Sequence, residues 1–556
     1  MLLLLAACAS PAPQAAPTAG SDTALRASAR KSITIAIRGD PKTLSARLNS
    51  QAGAGGVPGV EEIEQMLNAG LTFEERGGTF HTQLAEAVPS IENGLWKVFP
   101  DGRMETTWHI RPGAQWHDGT PFTAADVIFT ALVQQDKDVP IFRDVAYGSI
   151  DTVEAPDPLT VVISWRRPYV EADGMFTSRR GLPLPRHLLE QTWLQDKTNL
   201  PNQSYWFRDF IGTGPYRLRE LLPGSHALLD ANDQFVLGRP KIDSIEVKFI
   251  PDPSAIGANI LAGQVDTTLG GRLSLEWATG VRDQWRDGKL ALGAARSAIN
   301  LYPQFIDPSP AILADVQFRR ALLMAIDRQQ IVDTIAAGVA PIAHGTISQY
   351  DADWSKVEPS MAKYPYDAPQ AAQILTSLGY SRAPDGMLQD RNGQQLRLEI
   401  RSTANDDAQI KSMAAIATMW QQVGIVTDQV AVPEQAASDR QYRATRPAFE
   451  IVRQPGGWRE LRRIYGGDTP LPQNNYTGQN RSRYQGPELD SLIDQFFTTI
   501  PEQQRVDILG RIERIVTDQL TILGIYWDPD PVLVSNRLSN VQKAGEVWDI
   551  HTWEAS

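Results

Sequence analysis

An α/β fold with more than one lobe is predicted by three features of this chain. It has 556 residues, more than one hydrophobic core usually supports. Its 42% hydrophobic and 21% charged residues match compact globular proteins rather than disordered ones. Segments of strand period and helix period alternate along it, the pattern of an α/β lobe.

The opening strand is expected at Ser32 to Ile37, where polar and apolar residues alternate until Gly39-Asp40-Pro41. A second strand runs from Glu105 to Arg111, with Met104, Thr106, Trp108 and Ile110 on one face and a Pro112-Gly113 turn after it. Thr123, with Asp126 three residues on, forms a near capping box for a helix that buries Ile128, Ala131 and Leu132. Asp315 caps a helix burying Phe318, Leu322, Ala325 and Ile326, which the pattern carries on through Ile335 to Gly338. Further helices run from Asp367 to Gly379 and through Ile410, Met413, Ala417 and Trp420 to Gly424. Strands at Gln395–Ile400 and Ile425–Val432 flank that last helix, and Glu502–Gln519 precedes a strand from Thr521 to Trp527. Arg319, Arg320 and Arg328 read as a solvated helix face.

Charge and motifs exclude several functions. A net charge of -12 opposes binding to nucleic acid, which needs a basic surface. No apolar run long enough to span a bilayer follows Ala7. His109 and His117 lack the spacing of a zinc site, and Gly212-Thr213-Gly214-Pro215 reads as a sharp connection, since Pro215 removes a donor. No nucleophile elbow, phosphate loop or zinc-protease helix is present, so no catalytic residue, metal or cofactor is assigned.

The N-terminus points to a membrane surface. Cys8, the only cysteine, follows Leu5-Ala6-Ala7, the pattern of a lipoprotein processing site, and Ala9 to Gly20 is an Ala/Pro/Ser tether. Residues 1–8 are thus read as the remnant of a lipoprotein signal, with its true start upstream, and 9–29 as a flexible tether.

Thr107 to Thr130 (TWHIRPGAQWHDGTPFTAADVIFT) resembles the signature of the extracellular solute-binding proteins of family 5, the dipeptide, oligopeptide and nickel type. Gly212 to Leu218, Asp315 to Arg328, Tyr366 to Ala368 and Arg483 to Asp494 fit the same family in the same order. The resemblance implies a type II, cluster C periplasmic-binding-protein-like fold: two closing α/β lobes, an extra smaller lobe and a hinged cleft. Lobe I would comprise 30–78, 206–299 and 518–556, lobe II 79–205, and lobe III 300–517. It also implies a monomeric, lipid-anchored receptor outside the cytoplasm that hands a ligand to the transmembrane subunits of an ABC permease, without enzymatic activity.

The candidate site lies in Val452–Tyr484, a basic region in an acidic chain. Arg453, Arg459, Arg462, Arg463, Arg481 and Arg483 face only Glu460 and Asp468. Gly457-Trp458 matches the family pair that lines the cleft, which implies ligand contacts for both. Family members that bind peptides place an aspartate three residues after that tryptophan to hold the α-ammonium group; here the position is Leu461. A buried ammonium needs a carboxylate, so Glu460 or Asp468 would replace it. Alternatively the arginines, Arg453 among them, hold an organic anion. Tyr476, Asn474 and Trp458 would equally suit an oligosaccharide. Gly55, in the glycine-rich loop Asn49–Gly59, is a further candidate for close backbone approach. The expected function is capture of a peptide or other small polar solute; a nickel-chelate receptor and a secreted hydrolase of sugars or peptides are the other classes.

Overall fold

Alternation of apolar side chains sets the first strand: Ile33, Ile35 and Ile37 of Ser32–Ile37 are all buried. The computed structural model describes residues 30–49, 57–76, 78–142, 144–404, 406–437 and 439–556. Cys8, the tether and Gly55 lie outside them. The first strand pairs in parallel with Ser244–Phe249 and Thr267–Thr268 inside a ten-stranded mixed sheet. Across that sheet the order is Val426–Val432, Arg397–Thr403, Phe449–Pro455, Gly288–Pro303, Leu523–Ser535, Thr267–Thr268, Ser32–Ile37, Ser244–Phe249, His226–Ala231 and Tyr216–Leu222.

Two long strands serve both halves of this sheet. Gly288 to Gly293 pairs with residues 530–535 beside Thr267–Thr268, whereas Ser297 to Pro303 pairs with Phe449–Pro455. Between the halves the register slips from Gly293 opposite Asp530 to Ser297 opposite Asp528. Pro529 and Pro531 lack the amide hydrogens that would tie the strands there. The crossing therefore has a more interrupted ladder than its flanks.

Four large apolar clusters surround this frame. Trp420, Phe449 and Ile451 centre one, and Ile35, Trp206 and Val247 another. A third lies on the four-stranded sheet containing Met104–His109 and holds Trp108, Trp116 and Phe176. The fourth gathers Leu461, Phe496 and Leu509 with Tyr302 and, from a distant segment, Val170.

Several local expectations hold. The Thr123/Asp126 capping box forms, Asp315 and Asp367 cap their helices, and the last helix spans Glu502–Gln519. Others need correction. Leu132 is exposed, because Val127, Phe129, Ala131 and Val133 carry the buried face of Ala124–Gln135. The helix after Asp315 ends at Met324, and Asp327 caps a separate helix, Arg328–Ile335, by accepting from the Gln330 amide. Arg319 and Arg328 are buried rather than solvated. Arg319 donates to the carbonyls of Leu313 and Gln519, and Arg328 to those of Ala343, Gly524 and Tyr364. Burial pulls both guanidinium pKa values down to about 10. A five-donor fork can satisfy several backbone carbonyls at once, which the helical pattern does not reveal. The strand after Gln519 spans Leu523–Ser535, longer than its apolar run predicts.

Gly212 and Gly214 are where the chain passes hard against the end of the helix Val60–Leu67. A β-carbon at Gly212 would lie 1.9 Å from the Leu67 carbonyl oxygen, and one at Gly214 2.5 Å from the Leu67 carbonyl carbon. His117 is buried beside them: its Nδ1 accepts from the Gly212 amide and its Nε2 lies 3.1 Å from the Gly214 carbonyl. Burial lowers its pKa to about 4, fitting a neutral structural imidazole. Gly212→Ala is expected to cost about 1–3 kcal/mol through overpacking. The check is a lower urea midpoint in equilibrium unfolding with an unchanged slope.

Candidate functional site

Strand Phe449–Pro455 leads directly into the segment that was read as the site. Gly456 and Gly457 turn the chain, because a β-carbon at Gly456 would meet the Trp527 ring at 2.2 Å and Gly457 sits at φ 99°. The Gly457 amide donates to the Thr346 carbonyl at 2.7 Å. Thr346 is held in turn by Glu513, whose carboxyl accepts from the Thr346 amide and hydroxyl. Glu513 is fully buried, and burial pushes its pKa up to about 7.

From that anchor the short helix Trp458–Ile464 reaches across to residues far away in sequence. Trp458 packs on Phe496, with the Arg459 guanidinium over its other side at 4.1 Å. Arg459 pairs with Glu74 at 3.1 Å and approaches Glu171 at 3.6 Å. Glu460 accepts from Arg179 at 3.0 Å and from Arg463 at 2.5 Å. Burial opposes its ionisation, but Arg463 and Arg179 hold its pKa below the ordinary carboxylate value. A backbone bond from the Val170 amide to the Phe497 carbonyl adds to the same contact. Asp173 sits nearby with a buried, unpartnered oxygen, and burial raises its pKa to about 6.

The predicted residues separate into groups. Trp458, Gly457 and Glu460 lie together at this junction. Arg453 does not join them: its guanidinium is committed to Asp406, at 3.1 Å, and to Asp528. One guanidinium does not balance two buried acids, so Asp406 stays low while burial leaves Asp528 raised to about 6. Asp468 accepts from the Gln479 amide, and burial raises its pKa. Asn474 accepts from the Leu471 amide and donates to the Thr469 carbonyl, closing a turn. Tyr476 follows in a left-handed conformation with its amide on the Leu471 carbonyl. Leu461 is fully buried in the apolar cluster, so no charged group occupies that position.

Glu74, Glu171, Asp173, Arg179, Asp406 and Asp528 escaped the sequence reading. Except for Glu171, which also pairs with Arg180 and accepts from the Tyr169 hydroxyl, the ion-pair partners lie 47 or more residues away, and no local spacing marks them. Asp406 alone carried a signal, as the acid before an amphipathic helix whose Gln409 amide it accepts.

Comparison with known proteins fits this architecture. Residues 81–463 match the model for bacterial extracellular solute-binding proteins, family 5. The oligopeptide-binding protein AppA of Bacillus subtilis is 24% identical over 368 residues, 66% of this chain and 63% of AppA. A putative ABC transporter peptide-binding protein of Brucella ovis is 28% identical over 342 residues, 61% of this chain and 60% of its own. The match thus spans less than two thirds of these relatives. NikZ of Campylobacter jejuni, solved in complex with Ni(L-His), superposes with a TM-score of 0.74 at 20% identity, covering 94% of this chain and 99% of NikZ. The fold is that of the type II periplasmic binding proteins. This chain belongs to family 5 of the bacterial extracellular solute-binding proteins. The curated relatives are described as binding components, not as enzymes.

The Glu513 anchor has a pH signature. Between about pH 4.5 and 7 the folded protein holds a proton on Glu513 that the unfolded chain has released, so this group's contribution to stability is lost as pH rises through that window. Glu513→Gln keeps the acceptor for Thr346 and removes the titration. The variant is expected to lose up to about 3 kcal/mol less than the wild type across the window, measured by urea unfolding at stepped pH.

Proposed function

We propose that this chain is the solute receptor of an ABC importer and captures a peptide or another small polar solute between two closing lobes. The observation that carries this reading is the two-strand crossing at Gly293–Ser297 and Asp528–Asp530. It lets one half of the sheet swing against the other while the facing surfaces carry the Trp458–Ile464 segment and residues 74, 171 and 179. In this reading lobe I is 30–78, 206–299 and 518–556, lobe II is 79–205 and lobe III is 300–517. Ligand contacts to both sides favour the closed form, which docks on the permease. Cys8 carries the lipid that holds the monomeric receptor at the outer face of the membrane, with residues 9–29 as its tether.

The chemistry of the segment narrows the ligand. Leu461 is buried and Glu460 is engaged by two arginines, so neither of these two positions offers a free carboxylate to an α-ammonium group. A solute with a blocked or absent amine fits better, whether an acylated peptide or an organic anion.

The test is a thermal-shift screen of residues 30–556 with free and N-acylated di- to tetrapeptides, oligosaccharides, organic acids and nickel chelates. A ligand at about a hundred times its Kd adds roughly 2.7 kcal/mol to the folded state, so a concentration-dependent rise in Tm with the solute recovered intact is expected. Consumption of the solute would overturn the reading.

A further inference from the structure

The sheet half that leads into Trp458 carries a polar face that the ion pairs described so far do not use. Register places Gln454 opposite Ala298, Val452 opposite Asn300 and Glu450 opposite Tyr302, so these side chains share one face. Arg481 crosses that face from its own loop: Nε donates to Gln454 Oε1 and Nη1 to Glu450 Oε2, each at 3.1 Å. The guanidinium therefore spans Val452 and stands beside Asn300. Among the described residues its other terminal nitrogen, Nη2, has no partner.

Asn300 is more than nine-tenths buried, and its side-chain oxygen has no partner among the described residues. Its amide nitrogen reaches only the Tyr302 hydroxyl, at 3.5 Å, which leaves the hydroxyl proton free to be donated. A buried amide oxygen without a donor costs about 1–3 kcal/mol, so it is explained more simply as half of a binding site than as a defect.

Charge points the same way. Burial opposes ionisation of Glu450, yet Arg481, Arg443 and Arg446 together hold its pKa down to about 2. Arg483 adds a fourth guanidinium, with Asp307 as a second acid. Arg446 Nη2 donates to the carbonyls of Tyr302, Pro303 and Arg481 while its Nε is buried without a partner among the described residues, and Arg483 donates to those of Pro470 and Ala444. Four guanidiniums and two carboxylates leave the region short of negative charge, and Arg481, tied across the face through Nε and Nη1, presents its remaining donor there.

We propose that this face is the subsite for a carboxylate on the ligand. The carboxylate accepts from Arg481 Nη2 and the Tyr302 hydroxyl, while a neighbouring N–H or O–H of the ligand donates to Asn300 Oδ1. The C-terminal residue of a peptide presents this pattern as carboxylate plus amide N–H, and an α-hydroxy acid presents it as carboxylate plus hydroxyl. This inference rests on the receptor reading above and names the group that reading leaves open.

The experiment titrates N-acetyl-trialanine, its C-terminal amide, trialanine amide, lactate and malate into the wild type by calorimetry, then repeats the series with Arg481→Gln and Tyr302→Phe. The acids are expected to bind and both amides to fail; whether N-acetyl-trialanine or the hydroxy acids bind tells the two sources apart. Arg481→Gln should raise the Kd for the bound acid at least about tenfold. Tyr302→Phe, which removes one hydroxyl and leaves the ring in its core, should raise it several-fold with an unchanged Tm. An amide bound as tightly as its acid, or acid affinity unmoved in both variants, overturns the subsite and leaves the receptor reading standing. Failure of every solute here and in the thermal-shift screen would sink both.

Discussion

Two aspartates two residues apart, Asp528 and Asp530, sit where the long paired strands pass from one half of the sheet to the other, and each is neutralised from a different segment. Arg453, on the strand Phe449–Pro455, divides its guanidinium between Asp528 and Asp406. Arg76 pairs with Asp530 and also meets Glu62 and the backbone-bound Glu546. Removing one partner from a buried pair leaves an uncompensated charge that costs about 3–5 kcal/mol. The two halves are thus each locked to the crossing, while the crossing itself has a slipped register and two prolines. Ion pairs on either side and an interrupted ladder between them thus meet in one short stretch of sequence.

This arrangement decides what the arginines of the basic region are for. Arg453, Arg446 and Arg483 hold the frame, and Arg459 and Arg463 hold the junction with residues 74, 171 and 460. Only after those are assigned does the unused edge of Arg481 stand out. The Trp458–Ile464 helix is positioned from the other direction, through the chain of contacts from Glu513 to Thr346 to Gly457. Its partners Glu74 and Glu171 come from segments distant in sequence and its anchor from Thr346, so the helix is held from both sides.

Much of the fold was legible because the evidence for it is local. The Ser32–Ile37 and Met104–His109 strands, the Thr123 capping box and the Glu502–Gln519 helix all follow from periodicity and caps within a few residues. Arg319 and Arg328 were misplaced because a helical pattern says which residues share a face, not which carbonyls wait beneath it. The break at Asp327 was hidden because the apolar stripe continues across it. At the site, Gly457-Trp458 was recognised from a family pair, but the salt-bridge partners of Arg459 lie hundreds of residues earlier, beyond any spacing rule. Asn300 and Tyr302 carry no mark in the sequence; they stand out only when register sets them opposite Val452 and Glu450.

The central claim is that the halves close by bending at the crossing when solute binds. Small-angle X-ray scattering of residues 30–556, alone and with the solute that gives the largest thermal shift, tests it most directly. A smaller radius of gyration at saturation, reversed when the solute is removed, is predicted. An unchanged scattering profile with the solute bound would contradict it.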